Sequence, residues 1–396
     1  MRIAFLTALV PVAKPDTGFE IANAAILSAL REAGHEVVAF GFVRPGEVPA
    51  EPDGAVVIDA VDIENAVASP ARKLRWLGRA LRDGIPVACA KLRLAGGGRL
   101  VAAVAAQGPF DVIVLNSVML PGAFPELTRL GPCVLVEHNV EHVSARQNAA
   151  NAASLPMRML FAREARLLER IERRLWDEAD FVWTLAEEDR AALGPERAGK
   201  SAVLPLVSGE PVRLPAEPVA PAFDIGMIGT WTWMPNYTGL DWFLRAVVPL
   251  LPADLSIAVA GRLPPDMPSP PARVSLLGRV PDARDFLLSC RVLALSSRAG
   301  TGVQLKTIEA MQLGAPAVAT PLSCRGFTEL PANFRLADTP EAFAAALVAT
   351  VAEAKAGMLV RSDGTAFIAR QRAALAAALE QGLAAAIARR RSARSA

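Results

Sequence analysis

Short apolar stretches of strand length alternate with longer segments of helical spacing along the chain. The first apolar stretch covers residues 2–10, and a loop that contains Gly18 follows it. Residues 19–33 then carry apolar side chains at helical intervals, and residues 36–42 form a second apolar stretch. This order predicts a strand, a loop, a helix and a second strand.

The alternation continues through the first half of the chain. Further strands are predicted at residues 55–58, 86–90, 111–116, 133–137 and 181–185. A basic helix is predicted at residues 71–82, and a long helical stretch at residues 142–179 is interrupted at Pro156. Strands that alternate with helices indicate a parallel sheet, so this half is predicted to be Rossmann-like, although the strict GxGxxG fingerprint is absent.

A Pro-rich stretch without periodicity, residues 208–223, predicts a linker. The alternation restarts after it, with strands predicted at residues 224–229, 255–260, 274–277, 291–297 and 315–320 and helices at residues 237–251, 283–290, 303–313, 340–356 and 365–391. The prediction is therefore two α/β domains, residues 1–207 and 224–364. We expect the helix at about residues 365–391 to pack back on the first domain.

The composition narrows the class of protein. The chain has 396 residues, 52% of them hydrophobic and 21% charged, which suits two globular domains, and its net charge of +2 gives no global signature of nucleic-acid binding. The four cysteines are far apart and form no CxxC pair, which favours a reducing compartment over disulfides or a zinc site. No segment is long and apolar enough to span a membrane, so we expect a cytoplasmic protein.

Arginines are dense in residues 71–82 and 156–176. Each segment is explained by a helix that buries one face and leaves its arginines in solvent. The alternative is a basic amphipathic surface that rests on the anionic lipid at the inner face of a membrane. The sequence leaves both interpretations open.

The most informative stretch is residues 291–321, RVLALSSRAGTGVQLKTIEAMQLGAPAVATP. It predicts a strand, a glycine-containing loop, a helix and a return strand, with the loop at the carboxyl end of its strand, where open α/β sheets bind ligands. The loop amides and the helix dipole favour an anion there. Lys306 and Glu309 lie three positions apart on this helix, which suits a phosphate and a ribose. A solvated surface pair is the alternative interpretation.

Two other predicted strand ends point to the same edge of the second sheet. Gly229 and Thr230 end one strand, with Asn236 just before the next helix, and Arg262 follows another strand. A small residue at a strand end lets the backbone approach a ligand closely. If the second domain is doubly wound, Arg262 and Lys306 could both reach one diphosphate in a cleft between the domains.

In the first domain, the stretch VEHNVEHVSAR (residues 136–146) contains the end of a predicted strand. His138 and His142 are four positions apart, but the spacing crosses a strand-to-helix turn and no third ligand is near, which argues against a metal site. A histidine at the carboxyl end of such a strand is either a substrate contact or a buried, hydrogen-bonded residue.

Four segments together resemble one enzyme family. The segment GTGVQLKTIEAMQLGAPAVAT is similar to the donor-binding motif of retaining glycosyltransferases of family four, and IGTWTWMPNYTGLDWFLRAVVPLL to the segment that opens their C-terminal domain. The segment VEHNVEH resembles their HN-x-E turn, and DFVWTLAEEDRAAL the end of their N-terminal domain. The resemblance implies the GT-B fold, in which two Rossmann-like doubly wound domains face each other across a cleft.

The resemblance also implies roles for individual residues. Glu309 would hold the ribose, Arg262 and Lys306 the diphosphate, and the amides of residues 301–303 the phosphates, with His138 near the donor sugar. The residues then expected at the donor are Gly229, Thr230, Arg262, Arg298, Gly300, Thr301, Gly302, Val303, Lys306 and Glu309. Those expected on the acceptor side are Gly18, Glu137 and Asn139, and those expected to be catalytic are His138, Arg262 and Lys306.

One departure from the family pattern bears on the sugar. Many members have two glutamates eight positions apart, and Thr301 stands where the first of them would precede Glu309. The implied activity is transfer from a nucleotide-sugar to a glycan or lipid-linked glycan in polysaccharide or cell-envelope synthesis, by front-face attack and without a metal or other cofactor. The alternatives are a nucleotide-sugar 2-epimerase of the same fold and a catalytically silent relative that binds a partner.

Overall fold

The computed structural model of the chain describes residues 1–15, 17–62, 68–152, 154–207, 220–264 and 267–395. It divides into two compact units, a first unit of Met1–Leu206 with Ala373–Ala396 and a second unit of Val207–Arg372. Most of the predicted linker, residues 208–219, lies outside the described residues.

The first unit is built around one parallel sheet. Its strands are β1 (Arg2–Leu9), β2 (Glu36–Val43), β3 (Ala55–Ala60), β4 (Val112–Asn116), β5 (Cys133–Glu137), β6 (Phe181–Thr184) and β7 (Ser201–Val203). They lie in the order β3-β2-β1-β4-β5-β6-β7, and each neighbouring pair is parallel.

The helices of this unit cover the sheet and lead between its strands. They are α1 (Gly18–Glu32), α2 (Pro70–Asp83), α3 (Val87–Gly96), α4 (Arg99–Gln107), α5 (Met119–Ala123), α6 (Glu141–Ala150), α7 (Leu155–Glu178) and α8 (Glu187–Ala192). The central strands β4 and β5 are buried along their whole length, as expected for parallel strands that are covered on both faces.

The second unit has the same architecture with a parallel sheet of its own. Its strands are β8 (Phe223–Ile228), β9 (Ile257–Ala260), β10 (Val274–Gly278), β11 (Cys290–Leu295), β12 (Ala317–Ala319) and β13 (Phe334–Leu336), in the order β10-β9-β8-β11-β12-β13. Its helices are α9 (Met234–Trp242), α10 (Ala283–Leu288), α11 (Leu305–Gln312) and α12 (Pro340–Lys355). A π-helical turn, Phe243–Val247, and a short 3-10 helix continue α9.

The strand order of each sheet reverses at one place. In the first sheet this is between β1 and β4, and in the second it is between β8 and β11. The loops that leave the two strands then run to opposite faces and open a crevice at the carboxyl edge. The loops after these strands are therefore where a ligand is expected in each unit.

The last helix, α13 (Gly364–Ser395), begins in the second unit and ends in the first. In the first unit, the indole Nε1 of Trp183 donates to the carbonyl of Ala378 at 3.0 Å. The helix can approach this ring because Gly382 has no side chain. A Cβ on this residue would lie only 2.3 Å from Nε1 of Trp183. Further along, Arg390 forms an ion pair with Asp180 at 3.0 Å.

The strand predicted at residues 86–90 is wrong, because this segment begins the helix α3. Its apolar run is short and does not distinguish a buried strand from a buried helix. Pro86 stands at the N-cap, and the Ala, Leu, Lys and Arg residues that follow are good helix formers. The interruption predicted at Pro156 is confirmed: α6 ends before it, and the proline lies in the first turn of α7, where its missing N–H costs nothing.

Candidate functional site

In the second unit, the carboxyl ends of β8 and β9 meet at two glycines. Gly261 has a φ of +112°, and a Cβ on it would lie 1.9 Å from the carbonyl oxygen of Gly229. The N–H of Gly229 donates to the carbonyl of Ala260 at 3.2 Å. The two backbones can approach this closely only because Gly261 carries no side chain. A Cβ on Gly229 would instead lie 3.2 Å from the Trp231 ring.

Trp231 fastens the loop after β8 to the end of β9. Its N–H donates to the carbonyl of Arg262 at 2.9 Å, and its indole Nε1 donates to the carbonyl of Ala260 at 2.8 Å. The ring is buried. The predicted residues Thr230 and Arg262 therefore follow adjacent strands on two loops that are bonded to each other.

Lys306, in the first turn of α11, lies beside this loop. Its Nζ is 3.4 Å from Oδ1 of Asn236 and 5.9 Å from the centre of the Trp231 ring. Asn236 in turn donates from Nδ2 to the carbonyl of Thr230 at 3.1 Å. Among the described residues no carboxylate lies within ion-pair distance of Nζ, and desolvation on burial lowers the pKa of Lys306 to about 8.

The loop between β11 and α11 approaches the same place. Gly300 has a φ of +106°, which favours glycine, and a Cβ on it would lie 3.6 Å from Pro235 and 3.9 Å from Trp233. The N-cap residue Gln304 makes no capping hydrogen bond with its side chain. The amides of the first turn of α11, together with Lys306, therefore form a positively polarised end of the helix, which suits an anion.

Buried hydroxyl groups hold this loop in place. The hydroxyl of Ser323 accepts from the N–H of Ser297 at 2.9 Å, and the hydroxyl of Thr320 donates to the carbonyl of Ser297 at 2.7 Å. The hydroxyl of Thr307 on α11 donates to the carbonyl of Ser323 at 2.7 Å. The ends of β11 and β12 and the start of α11 thus form one hydrogen-bonded unit.

The remaining predicted donor residues lie on the loop before α11 and on α11 itself. Thr301 is buried, Gly302 and Val303 are half-buried, and Glu309 lies one turn beyond Lys306 and is half-buried. Arg298 is placed differently: its guanidinium pairs with the carboxylate of Asp338, donates to the Asp338 carbonyl at 3.0 Å and stacks 4.9 Å from the centre of the Trp242 ring. These contacts tie Arg298 to the protein itself.

In the first unit, His138 ends a line of buried polar side chains at the switch point of the sheet. Its Nε2 is 2.8 Å from Oδ1 of Asn116, and Nδ2 of Asn116 donates to Oδ1 of Asn23. Asn23 donates to the hydroxyl of Thr7 at 2.9 Å. Burial lowers the pKa of His138 to about 4, so the imidazole is neutral at physiological pH. The ring of Phe19, on the first turn of α1, lies 5.0 Å from it.

A buried carboxylate organises the turn that carries His138. Glu172 of α7 accepts from the N–H of His142 at 3.2 Å and from its Nδ1 at 2.5 Å, and it also accepts from the N–H of Glu141. Since these amides belong to the first turn of α6, Glu172 caps that helix from outside. Burial and the charge of Glu172 raise the pKa of Glu141 to about 7.

Two predicted acceptor-side residues belong to this turn. Glu137 is buried and accepts from Nε1 of Trp176 at 2.7 Å, and burial together with Glu172 raises its pKa well above the ordinary value. Asn139 donates from Nδ2 to Glu141 at 3.4 Å. Gly18 is the exposed first residue of α1, beside Phe19. No group of three or more His, Cys, Asp or Glu residues in the described part of the chain could hold a metal ion.

The structure thus brings most predicted donor residues together in the second unit and places His138, Glu137 and Asn139 on one turn of the first. Sequence reasoning missed Asn116 and Asn23. Asn116 is the polar last residue of an otherwise apolar strand, and Asn23 stands at helical spacing from Ile26 and Leu30 on the buried face of α1. A polar residue in either position is a signal that could have been used, because it must find a hydrogen-bond partner inside the protein.

Comparisons with known proteins find a family match in each of the two units. Residues 17–206 match the glycosyl transferase 4-like domain and residues 222–353 match the glycosyl transferases group 1. The comparison with curated proteins gives no match.

Several solved structures have a similar fold. Sucrose-phosphate synthase from Thermosynechococcus elongatus aligns with a TM-score of 0.68 at 17% identity, over 96% of this chain and 97% of that one. HepE from Anabaena, solved in complex with UDP-glucose, aligns with a TM-score of 0.61 at 16% identity, over 99% of this chain and 100% of that one. WaaG, a glycosyltransferase involved in lipopolysaccharide biosynthesis, aligns with a TM-score of 0.61 at 16% identity, over 96% of this chain and 98% of that one.

Proposed function

Because the chain belongs to the group 1 glycosyl transferases and has their GT-B fold, we propose that it moves a sugar from a nucleoside-diphosphate sugar to a hydroxyl acceptor with retention of configuration. The observation that carries the donor class is Lys306. It is a half-buried cation beside the polarised end of α11, without a carboxylate partner among the described residues. Such a group is suited to an anion that arrives with the substrate.

The proposed reaction exchanges one bond for another at the anomeric carbon. The bond from this carbon to the diphosphate oxygen breaks, and the acceptor oxygen bonds to the same carbon from the same face. The proton of the acceptor hydroxyl passes to the departing diphosphate. Lys306, Arg262 and the amides of residues 301–303 would stabilise the negative charge that develops on the diphosphate, which is usually the largest catalytic contribution.

The donor class is tested first. HepE is described in complex with UDP-glucose, and this supports trying uridine nucleotides before others. A thermal-shift screen of the full chain against nucleoside diphosphates and their sugars should find at least one that raises the melting temperature. If none does so, and none is hydrolysed slowly, the proposal fails.

For the acceptor we propose a glycan or lipid-linked glycan of polysaccharide or cell-envelope synthesis. WaaG, of similar fold, is described in lipopolysaccharide biosynthesis, which supports this class. The anomeric configuration of the product, read by NMR from the coupling constant of its anomeric proton, tests retention: an inverted product would refute it. The comparisons give no support to the 2-epimerase alternative, and incubation without acceptor should yield no epimer.

We also propose that the first unit rests on anionic lipid, through a surface that we call the basic apolar face. Leu74 and Leu81 on α2 are 70% and 58% exposed, and Leu155 and Met159 at the start of α7 are 68% and 66% exposed. The residues Lys73, Arg75, Arg82 and Arg158, exposed on the same two helices, add positive charge.

A hydrogen bond ties the two helices of this face together. Arg163 of α7 donates from Nη2 to the carbonyl of Ala80, near the end of α2, at 2.7 Å, and to the carbonyl of Ile85 at 3.2 Å. Met159 lies one turn before Arg163 on α7. Exposed apolar side chains with basic neighbours suit the boundary between lipid headgroups and chains. No helix in the described part of the chain is long and apolar enough to cross a membrane.

A further inference from the structure

The line of polar side chains that ends at His138 crosses the switch point of the first sheet. It consists of Thr7 on β1, Asn23 on α1, Asn116 at the end of β4 and His138 after β5, and all four are buried. In the structure each is hydrogen-bonded to the next. Buried polar groups keep one arrangement only when every donor meets an acceptor, so the direction of each bond can be deduced.

The direction is set at the Leu9 carbonyl, which can only accept. The hydroxyl of Thr7 donates to it at 3.1 Å, and the amide nitrogen of Asn23 donates to it at 3.0 Å. If the Asn23 amide were turned over, its oxygen would face two acceptors. The nitrogen of Asn23 therefore points to Leu9 and Thr7, and its oxygen points to Asn116.

The orientation of Asn23 in turn fixes the bonds of Asn116 and of the imidazole. Facing the oxygen of Asn23, Asn116 must present its amide nitrogen, so its own oxygen faces His138. An amide oxygen only accepts, and Nε2 of His138 is 2.8 Å from it, so Nε2 must carry the proton. A neutral imidazole has one ring proton, and the other nitrogen, Nδ1, then holds a lone pair.

We propose that Asn116 and Asn23, the latter oriented by the Leu9 carbonyl, are positioning residues that fix His138 as the Nε2–H tautomer and present Nδ1 as a hydrogen-bond acceptor for a sugar hydroxyl. The identity of the hydroxyl rests on the function proposed above, whereas the tautomer does not. No group in the described part of the chain hydrogen-bonds to Nδ1. Because burial keeps the ring neutral, His138 accepts from a hydroxyl and does not offer a positive charge to the phosphates.

NMR of the free protein tests the tautomer directly. The chain has three histidines, so long-range proton–nitrogen correlation spectra of uniformly nitrogen-15-labelled protein contain three ring systems. His35→Gln and His138→Gln each remove one system and thereby assign all three. We expect the pattern of a neutral Nε2–H ring for His138 at neutral pH. A neutral Nδ1–H ring or a cationic ring would overturn the proposal.

The roles of the positioning residues are tested in the same spectra. Asn116→Leu removes the acceptor of Nε2–H at similar volume and should shift the population of His138 toward Nδ1–H, and an unchanged tautomer would overturn the role of Asn116. Thr7→Val is the matched control, because the Leu9 carbonyl still orients Asn23, and it should leave the tautomer unchanged. The signals of His142, held by Glu172, report whether each variant keeps its fold.

The wild-type spectrum is assigned with the two histidine variants alone, so it decides the tautomer even if Asn116→Leu does not fold. The spectra contain no nucleotide-sugar, so this result is independent of whether the transferase proposal holds. Conversely, transfer could be demonstrated while His138 proves to be the other tautomer, and then only the present inference would fail.

Discussion

The ammonium of Lys306 lies 3.4 Å from Oδ1 of Asn236, a residue 70 positions earlier in the chain. An amide oxygen holds the lysine in place but does not neutralise it. The charge therefore remains available to a ligand, whereas a carboxylate in the same position would compete with the phosphates. The donor proposal depends most on this pair of residues.

Replacing the cation should weaken donor binding. Lys306→Met keeps much of the side-chain length and removes the charge, and the loss of a charge-assisted contact, about 1.5–3 kcal/mol, corresponds to an affinity about ten- to hundredfold lower. Isothermal titration with the best nucleoside diphosphate measures it. Lys355→Met is the matched control, because Lys355 pairs with Asp224 at 2.9 Å, and its affinity should be unchanged. Equal losses in both variants would contradict the assignment.

The pH dependence of donor binding follows from the lowered pKa of Lys306. As the pH rises through about 8 in the free protein, the lysine loses its proton, and the affinity for a diphosphate should fall. Binding itself raises this pKa, because the phosphates favour the charged form. Titrations on both sides of this pH measure the effect, and Lys306→Arg, which stays charged, should abolish it. Asn236→Asp should shift the loss of diphosphate affinity to higher pH and lower that affinity at every pH. A wild-type affinity that does not change with pH would count against the proposal.

Glu309 and Lys306 should be separable by the choice of ligand. If Glu309 holds the ribose, Glu309→Gln should lower the affinity for a nucleoside diphosphate about tenfold but leave the affinity for inorganic pyrophosphate unchanged. Lys306→Met should lower the affinity for both ligands. Competition titrations with the two ligands measure this difference, and a Glu309→Gln variant that loses pyrophosphate affinity would show that the carboxylate acts on the phosphate side or on the fold.

Gly261, after β9, should tolerate a side chain much less well than Gly278, at the end of β10. Gly261→Ala would put a Cβ 1.9 Å from the Gly229 carbonyl. We therefore expect this variant to lose more than about 2 kcal/mol of folding stability and to lose nucleotide binding. Gly278 also has a positive φ but no atom within 4 Å of its Cβ position, so Gly278→Ala should cost only about 1 kcal/mol and keep binding. Urea unfolding and thermal shift with nucleotide measure both, and equal effects would disprove the close-approach argument.

Membrane binding should depend on the basic apolar face. Sedimentation with phosphatidylglycerol-containing vesicles should bring down the wild type, and phosphatidylcholine vesicles or high salt should not. Substituting Leu81→Ser and Met159→Ser together removes apolar area that the lipid would bury, and it should lower partitioning onto the vesicles at least about tenfold. Leu250→Ser is the matched control in the second unit, where Leu250 is 49% exposed. Binding that is indifferent to lipid charge, or equally lost in the control, would refute the proposal.

The sequence predicted regular elements best where an apolar run is bounded by polar residues. The strand at residues 133–137 was predicted with the bounds that the structure has. The run at residues 86–90 failed because its apolar residues suit either a strand or a helix until the following helical turns are considered. Gly300 and Lys306 could be recognised as one motif because they lie on one loop and the helix after it.

By itself, the sequence determined the alternation of strands and helices, the glycine loop before α11 and the segments that match the glycosyl transferases. These are local patterns, because each depends on the direction of the side chains over a few consecutive residues. Only the tertiary structure decided what touches Lys306 and His138. Asn236 reaches the lysine and Asn116 reaches the histidine because neighbouring parallel strands end at one edge of a sheet, across separations of 70 and 22 residues. No local pattern encodes that meeting, because it arises from strand order and packing.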